Sequence, residues 1–123
     1  MRVLVLADDL IWSTRLLAQV RATGAEAVPV RTLPGLDEGL PAADAVIVDL
    51  TARAYDGVAA VQISADAGRR VLAVGQHDDA DLRRRALAAG AERVLAYRKL
   101  FDDGPATLTA WLQPAPPRAG AGR

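Results

Sequence analysis

The sequence predicts an α/β fold: a doubly wound, five-stranded parallel sheet with helices on both faces. Three observations predict it. Five short apolar runs, rich in Val, Leu and Ile, recur along the chain. Segments of helical character, several stopped by glycine, alternate with them. Such βα alternation is the pattern of a parallel sheet buried on both sides, and right-handed crossovers then place helices on both faces.

The elements follow in order. Residues 2–7 form a β-branched run closed by Asp8-Asp9, a first strand. Residues 10–23 carry Leu16, Leu17 and Val20 at helical spacing, with Gly24 as the stop. Residues 27–30 form a second strand. Residues 33–40, framed by Pro34 and Pro41, form a weak helix or turn. Residues 44–49, Asp-Ala-Val-Ile-Val-Asp, form a buried third strand ending in an acid. Asp56-Gly57 opens a helix over about 58–67, ended by Gly68. Residues 70–74 form the fourth strand. Residues 78–89 form a helix with acids in its first turn, Arg83 to Arg85 further along, and Gly90 as its stop. Residues 93–97 form the fifth strand. Residues 105–112 form a last short helix with Pro105 in its first turn. Residues 113–123, rich in Pro, Gly and Ala, read as a disordered tail.

The length of 123 residues fits one domain. Lys plus Arg equals Asp plus Glu at 15 each, so no net charge draws the chain to nucleic acid or an anionic membrane. With no cysteine, a disulfide scaffold, a Cys-ligated metal and a thiol nucleophile are excluded. The first apolar run is too short for a signal peptide and no stretch reaches transmembrane length. A cytoplasmic location is the expectation. No Walker lysine loop, Gly-x-Gly-x-x-Gly or zinc spacing occurs.

In a doubly wound sheet the ligand site lies at the carboxyl ends of the strands. Asp8 and Asp9 follow the first strand and Asp49 ends the third. If those strands are neighbours, three carboxylates converge. Like charges so close call for a cation, and Mg²⁺ is the natural one. An aspartate beside Mg²⁺ is also a nucleophile toward phosphorus. Taken singly, each acid reads as a solvated loop residue or helix cap.

Four features in sequence order then resemble the receiver domain of bacterial response regulators in two-component signalling, of the chemotaxis-regulator kind. They are Ala7-Asp8-Asp9, Asp49 in Val-Ile-Val-Asp-Leu, Asp56-Gly57 seven residues beyond it, and Ala89-Gly90-Ala91 before the fifth strand. The resemblance covers residues 1–112 and implies a flavodoxin-like (βα)5 receiver sandwich. It implies metal ligation by Asp8, Asp9, Asp49 and the backbone carbonyl of Thr51, with Asp49 the phospho-acceptor. It implies a histidine kinase or other signalling protein as partner. It also implies a face built from the fourth helix, fifth strand and fifth helix, where Arg84, Tyr97, Arg98 and Trp111 are candidates for contact or homodimer formation.

The departures are as specific. The family's Ser or Thr after the fourth strand is Gly75. Its Lys falls on Tyr97 and the following Pro on Arg98, with Lys99 two residues late; Val94 stands at the aromatic switch position and Arg53 at a usual Pro. The hydroxyl and ammonium that grip a phosphoryl group by charge-assisted bonds are thus missing. These are the differential contacts that switch a receiver. The expectation is a stand-alone degenerate receiver, not an enzyme, acting through protein–protein contacts. Two alternatives stay open: a working Mg²⁺-dependent phospho-acceptor at Asp49, and a flavodoxin-like small-molecule binder. His77 reads as an exposed loop residue, and Arg83 to Arg85 as a solvated helix face. Trp12 reads as packing under the acids or as a partner anchor, and Trp111 equally as core.

Overall fold

Alternation within each strand sets the architecture. In the computed structural model, which describes residues 1–76 and 78–113, β1 (Arg2–Leu6) is buried beyond its first residue. Its side chains divide between two cores, because successive residues point to opposite faces of a sheet. Leu4 and Leu6 join Val46, Val48, Val71, Ala73 and Val94 on one side. Val3 and Val5 join Ala45, Ile47, Leu72, Val74 and Leu95 on the other. The remaining strands are β2 (Glu26–Val30), β3 (Ala45–Asp49), β4 (Arg70–Gly75) and β5 (Arg93–Ala96). They form one parallel sheet in the order β2-β1-β3-β4-β5.

The helices are α1 (Leu10–Ala22), α2 (Leu33–Gly39), α3 (Gly57–Asp66), α4 (Ala80–Ala89) and α5 (Tyr97–Leu112). Leu36 of α2, Ala60 and Val61 of α3 and Ala86 of α4 complete the first core. Leu16 and Val20 of α1, with Leu100, Leu108, Trp111 and Leu112 of α5, complete the second. A 3-10 turn (Leu40–Ala42) follows α2. Side chains cap four helix starts: Asp9 accepts from the Trp12 amide, Thr32 from Gly35, Asp56 from Ala59 and Asp79 from Leu82, at 2.9 to 3.1 Å. The Asp56-Gly57 pair is therefore structural. Asp56 caps α3, and a Cβ on Gly57 would lie 2.9 Å from the Leu50 Cα.

The order of elements is the expected one, with one large boundary difference. β5 ends at Ala96, and Tyr97 opens α5 instead of closing the strand. α5 begins at Tyr97, not at Pro105, because its first turns are anchored by the buried side chains of Tyr97 and Leu100. Asp103 (φ −138°, ψ 22°) breaks it just before Gly104-Pro105, so Pro105 still lies in the first turn of the second piece. Of the expected tail, residues 114–123 lie outside the described residues, as does His77. No helix among the described residues is long and apolar enough to cross a membrane.

Candidate functional site

β1 and β3 are neighbours, paired Leu6 to Val48, so their carboxyl ends meet. Asp49, the last residue of β3, is 1% exposed. Its Oδ1 accepts from the Thr51 amide at 2.9 Å, the Thr51 hydroxyl at 2.8 Å and the Tyr97 hydroxyl. The Tyr97 oxygen also lies 3.1 Å from Thr51 Oγ1. Hydrogen bonds to an ionised acceptor are the strong ones, and here three fall on a single oxygen. The Tyr97 ring lies against Trp12 with centroids 3.7 Å apart and planes at 35°. Burial, then the bond to Asp49, pushes the Tyr97 phenol far above its ordinary range.

Asp8 is engaged differently. Its Oδ2 accepts from the amides of Arg53 and Ala54, each at 2.9 Å. The Ala54 bond is the main cause of a carboxyl pKa below the ordinary value, with Arg53 and the Arg31 charge adding to it against some desolvation. The Asp8 carbonyl accepts from Arg31 at 2.9 Å. Asp9 turns away to cap α1. Asp8, Asp9, Trp12, Asp49, Thr51 and Arg53 line an open cleft of about 460 Å³.

The three predicted acids thus share one cleft. Among the described residues, however, no three His, Cys, Asp or Glu side chains are arranged to hold a metal ion. The reason is visible in the donors: loop amides hold Asp8, the α1 amide holds Asp9, and hydroxyls cover Asp49. Thr51, expected to offer its carbonyl, serves Asp49 through its hydroxyl and amide. As arranged, the three acids line one cleft without forming a ligand group among the described residues.

The other predicted positions fall as follows. Gly75 ends β4, and a Cβ there would meet Leu50 at an ordinary 3.6 Å, so bulk does not explain the missing hydroxyl. Val94 is a core residue. Lys99 is exposed and paired with Asp103, so Tyr97 alone occupies the lysine position over Asp49. Two of the four residues expected on the partner face are not on it. Tyr97 is buried at the site, and Trp111 is 4% exposed, with Arg70 5.3 Å over its ring. Arg84 and Arg98 are exposed, Arg84 pairing with Asp81 at 3.2 Å. Arg83 is not part of a free basic patch, since it donates to the Val94 carbonyl at 3.1 Å.

Sequence reasoning missed Tyr55. It is buried, and its hydroxyl donates to the carbonyls of Leu6 (2.9 Å) and Asp49 (2.8 Å), joining the ends of β1 and β3. Burial, then the Asp49 charge, raises its pKa far above the usual phenol value. A lone aromatic in a loop has no periodicity to announce it. Tyr55→Phe leaves two buried carbonyls short of a donor and is expected to cost about 1–3 kcal/mol, read from urea unfolding midpoints. An unchanged midpoint would show that water replaces the hydroxyl.

No protein-family model and no curated protein matches the sequence. Solved structures do match in shape. A response regulator protein from Burkholderia pseudomallei, solved with a phosphorylated aspartic acid, calcium ion and citrate, matches with a TM-score of 0.75 at 18% identity. The match covers 91% of this chain and 66% of that one, so the chain spans just under two thirds of that protein's length. The signal receiver domain of a DNA binding response regulator from Colwellia psychrerythraea 34H matches with a TM-score of 0.77 at 20% identity, covering 91% and 98%. A response regulator from Thermotoga maritima matches with a TM-score of 0.74 at 16% identity, covering 89% and 94%. At such identities the likeness establishes architecture: the chain has the flavodoxin-like fold of response-regulator receiver domains.

Proposed function

We propose that the chain is a degenerate receiver that works in signal transduction through protein–protein contacts, with Asp49 withheld from phosphoryl transfer. One observation carries this reading: the Tyr97 hydroxyl sits on Asp49 Oδ1, where the resemblance expects a lysine. A phenol of raised pKa is a neutral donor, so it satisfies the carboxylate without supplying the positive charge a phosphoryl group needs. Gly75 offers no hydroxyl to a phosphoryl oxygen, and among the described residues the acids do not form a metal-ligand group. Signalling rather than catalysis follows from this reading, with the cytoplasm as its compartment. The partner is a histidine kinase or another signalling protein, or a second copy meeting the face formed by α4, β5 and α5, where Arg84 and Arg98 are exposed.

A second reading has its own support. Asp8, Asp9 and Asp49 line one open cleft, and a rearrangement of their donors would make Asp49 a Mg²⁺-dependent acceptor. Intact mass after incubation with Mg²⁺ and acetyl phosphate or phosphoramidate separates the two, with Asp49→Asn as control. The expected result is no phosphoryl adduct on the folded wild-type chain. An adduct lost in Asp49→Asn would overturn the withheld-aspartate reading in favour of the second.

A further inference from the structure

A second cleft lies at the amino ends of the strands, the opposite end of the sheet from Asp49. Met1, Thr23, Ala25, Thr109, Leu112 and Gln113 line an open groove of about 310 Å³. Its walls are the ends of α1 and α5, which pack together in the second core. The Met1 backbone is fixed there, because its carbonyl accepts from the Glu26 amide at 2.9 Å. Its side chain is nevertheless 56% exposed. Leu112 and the half-buried Ala25 continue the apolar surface. The chain itself supplies an occupant. α5 ends at Leu112, and Gln113, on the wall of the groove, has φ −64° and ψ 138°. These are polyproline II angles, the conformation favoured before proline, and Pro114 follows.

We propose that residues 114–117, Pro-Ala-Pro-Pro, fold back across this groove, with Pro114 and Pro117 against Met1, Ala25 and Leu112. The segment carries no charge to desolvate. Four residues of polyproline II helix span about 12 Å, against about 8–10 Å between the axes of packed helices. The segment is thus long enough to cross from α5 to the end of α1. Three residues per turn put Pro114 and Pro117 on one face. Holding Pro and Ala side chains in place costs almost no rotamer entropy, so a shallow apolar contact is enough. The composition that denies this segment a core of its own suits it to a seat on an existing one. Seated, it closes the groove to other chains.

Nuclear magnetic resonance on the full chain tests the seat. Met1 is the only methionine, so a carbon-13 label on its ε-methyl gives a single signal. The wild-type chain is expected to show nuclear Overhauser effects from that methyl to proline ring protons. Pro114→Ser with Pro117→Ser is expected to lose them, and the methyl signal to shift toward its position in free methionine. Thr109→Arg approaches from the other side. Thr109 is exposed on the groove wall, so a long side chain there fills the seat without entering the core. It too is expected to lose the effects, with the circular dichroism unchanged. No effect in the wild-type chain, or effects that survive both sets of substitutions, would overturn the proposal. A mixture of labelled and unlabelled chains shows whose segment is seated. Effects that cross from one copy to the other would overturn the fold-back and put the segment on a second copy.

Discussion

Gly90→Ala is expected to destabilise the fold by about 3–5 kcal/mol, the largest effect of any single methyl group added here. Gly90 caps α4 with φ +120° and ψ 7°, and its amide bonds back to the carbonyls of Ala86 and Leu87. An alanine would suffer the backbone conformation and also place its Cβ 2.4 Å from the Ala65 Cβ of α3. That neighbour is fixed to its own helix backbone and cannot swing aside. Gly24 and Gly68 separate the two costs. Both have positive φ, +92° and +78°, yet a Cβ at either meets nothing within 4 Å. Gly24→Ala should therefore cost about 1–2 kcal/mol, the backbone part alone. Urea unfolding of the two variants, with Ala65→Gly added to Gly90→Ala, measures the steric part as a coupling energy. Equal losses at Gly24 and Gly90 would show that α3 and α4 separate freely.

The second large effect is optical. The chain has two tyrosines, and both are buried with phenols raised far above 10.0. In an alkaline titration the native protein is expected to show no phenolate absorption where free tyrosine is half ionised. The sign of the stability change follows from the protons. Above pH 10 the unfolded chain releases its phenolic protons while the native chain holds them. The tyrosine contribution to stability is therefore level below pH 10 and falls above it, by about 1.4 kcal/mol per pH unit for each tyrosine. Phenolate should appear only with loss of the far-ultraviolet circular dichroism. Tyr55→Phe or Tyr97→Phe should each halve the slope. A reversible phenolate band at pH 10 with the fold intact, still present in Tyr55→Phe, would mean that the Tyr97–Asp49 bond opens readily in solution.

The sheet was legible because alternation and βα order are properties of the residues themselves: Val-Leu-Val-Leu of β1 divides between two cores as written. The meeting of Asp8 and Asp49 was legible because it needs only that β1 and β3 be neighbours. The chemistry above those strands was not. Counting from Ala89-Gly90-Ala91 put Tyr97 in the lysine position, but a count does not say that a phenol spans the gap to Asp49. That depends on Tyr97 opening α5 and on Trp12 backing the ring. The start of α5 was hidden by Gly104-Pro105, a pair that reads as a helix beginning and here marks a break. Trp111 gave no sign of its side because α5 carries an apolar face toward α1 and an exposed one beside it, and one tryptophan suits either.

Pro29 in the outermost strand has a consequence of a different kind. The Glu26 amide donates to the Met1 carbonyl, and the Val30 carbonyl accepts from the Ala7 amide, so residues 26, 28 and 30 turn their peptide groups toward β1. Residues 27 and 29 turn theirs outward, and at position 29 there is no N–H to present. A foreign strand approaching this rim finds the amide of Ala27 and then a gap. Ribbon-to-ribbon polymerisation, the common hazard of an open sheet, is thereby blunted on that flank. Recognition along the same flank has to be made with side chains, not with borrowed backbone.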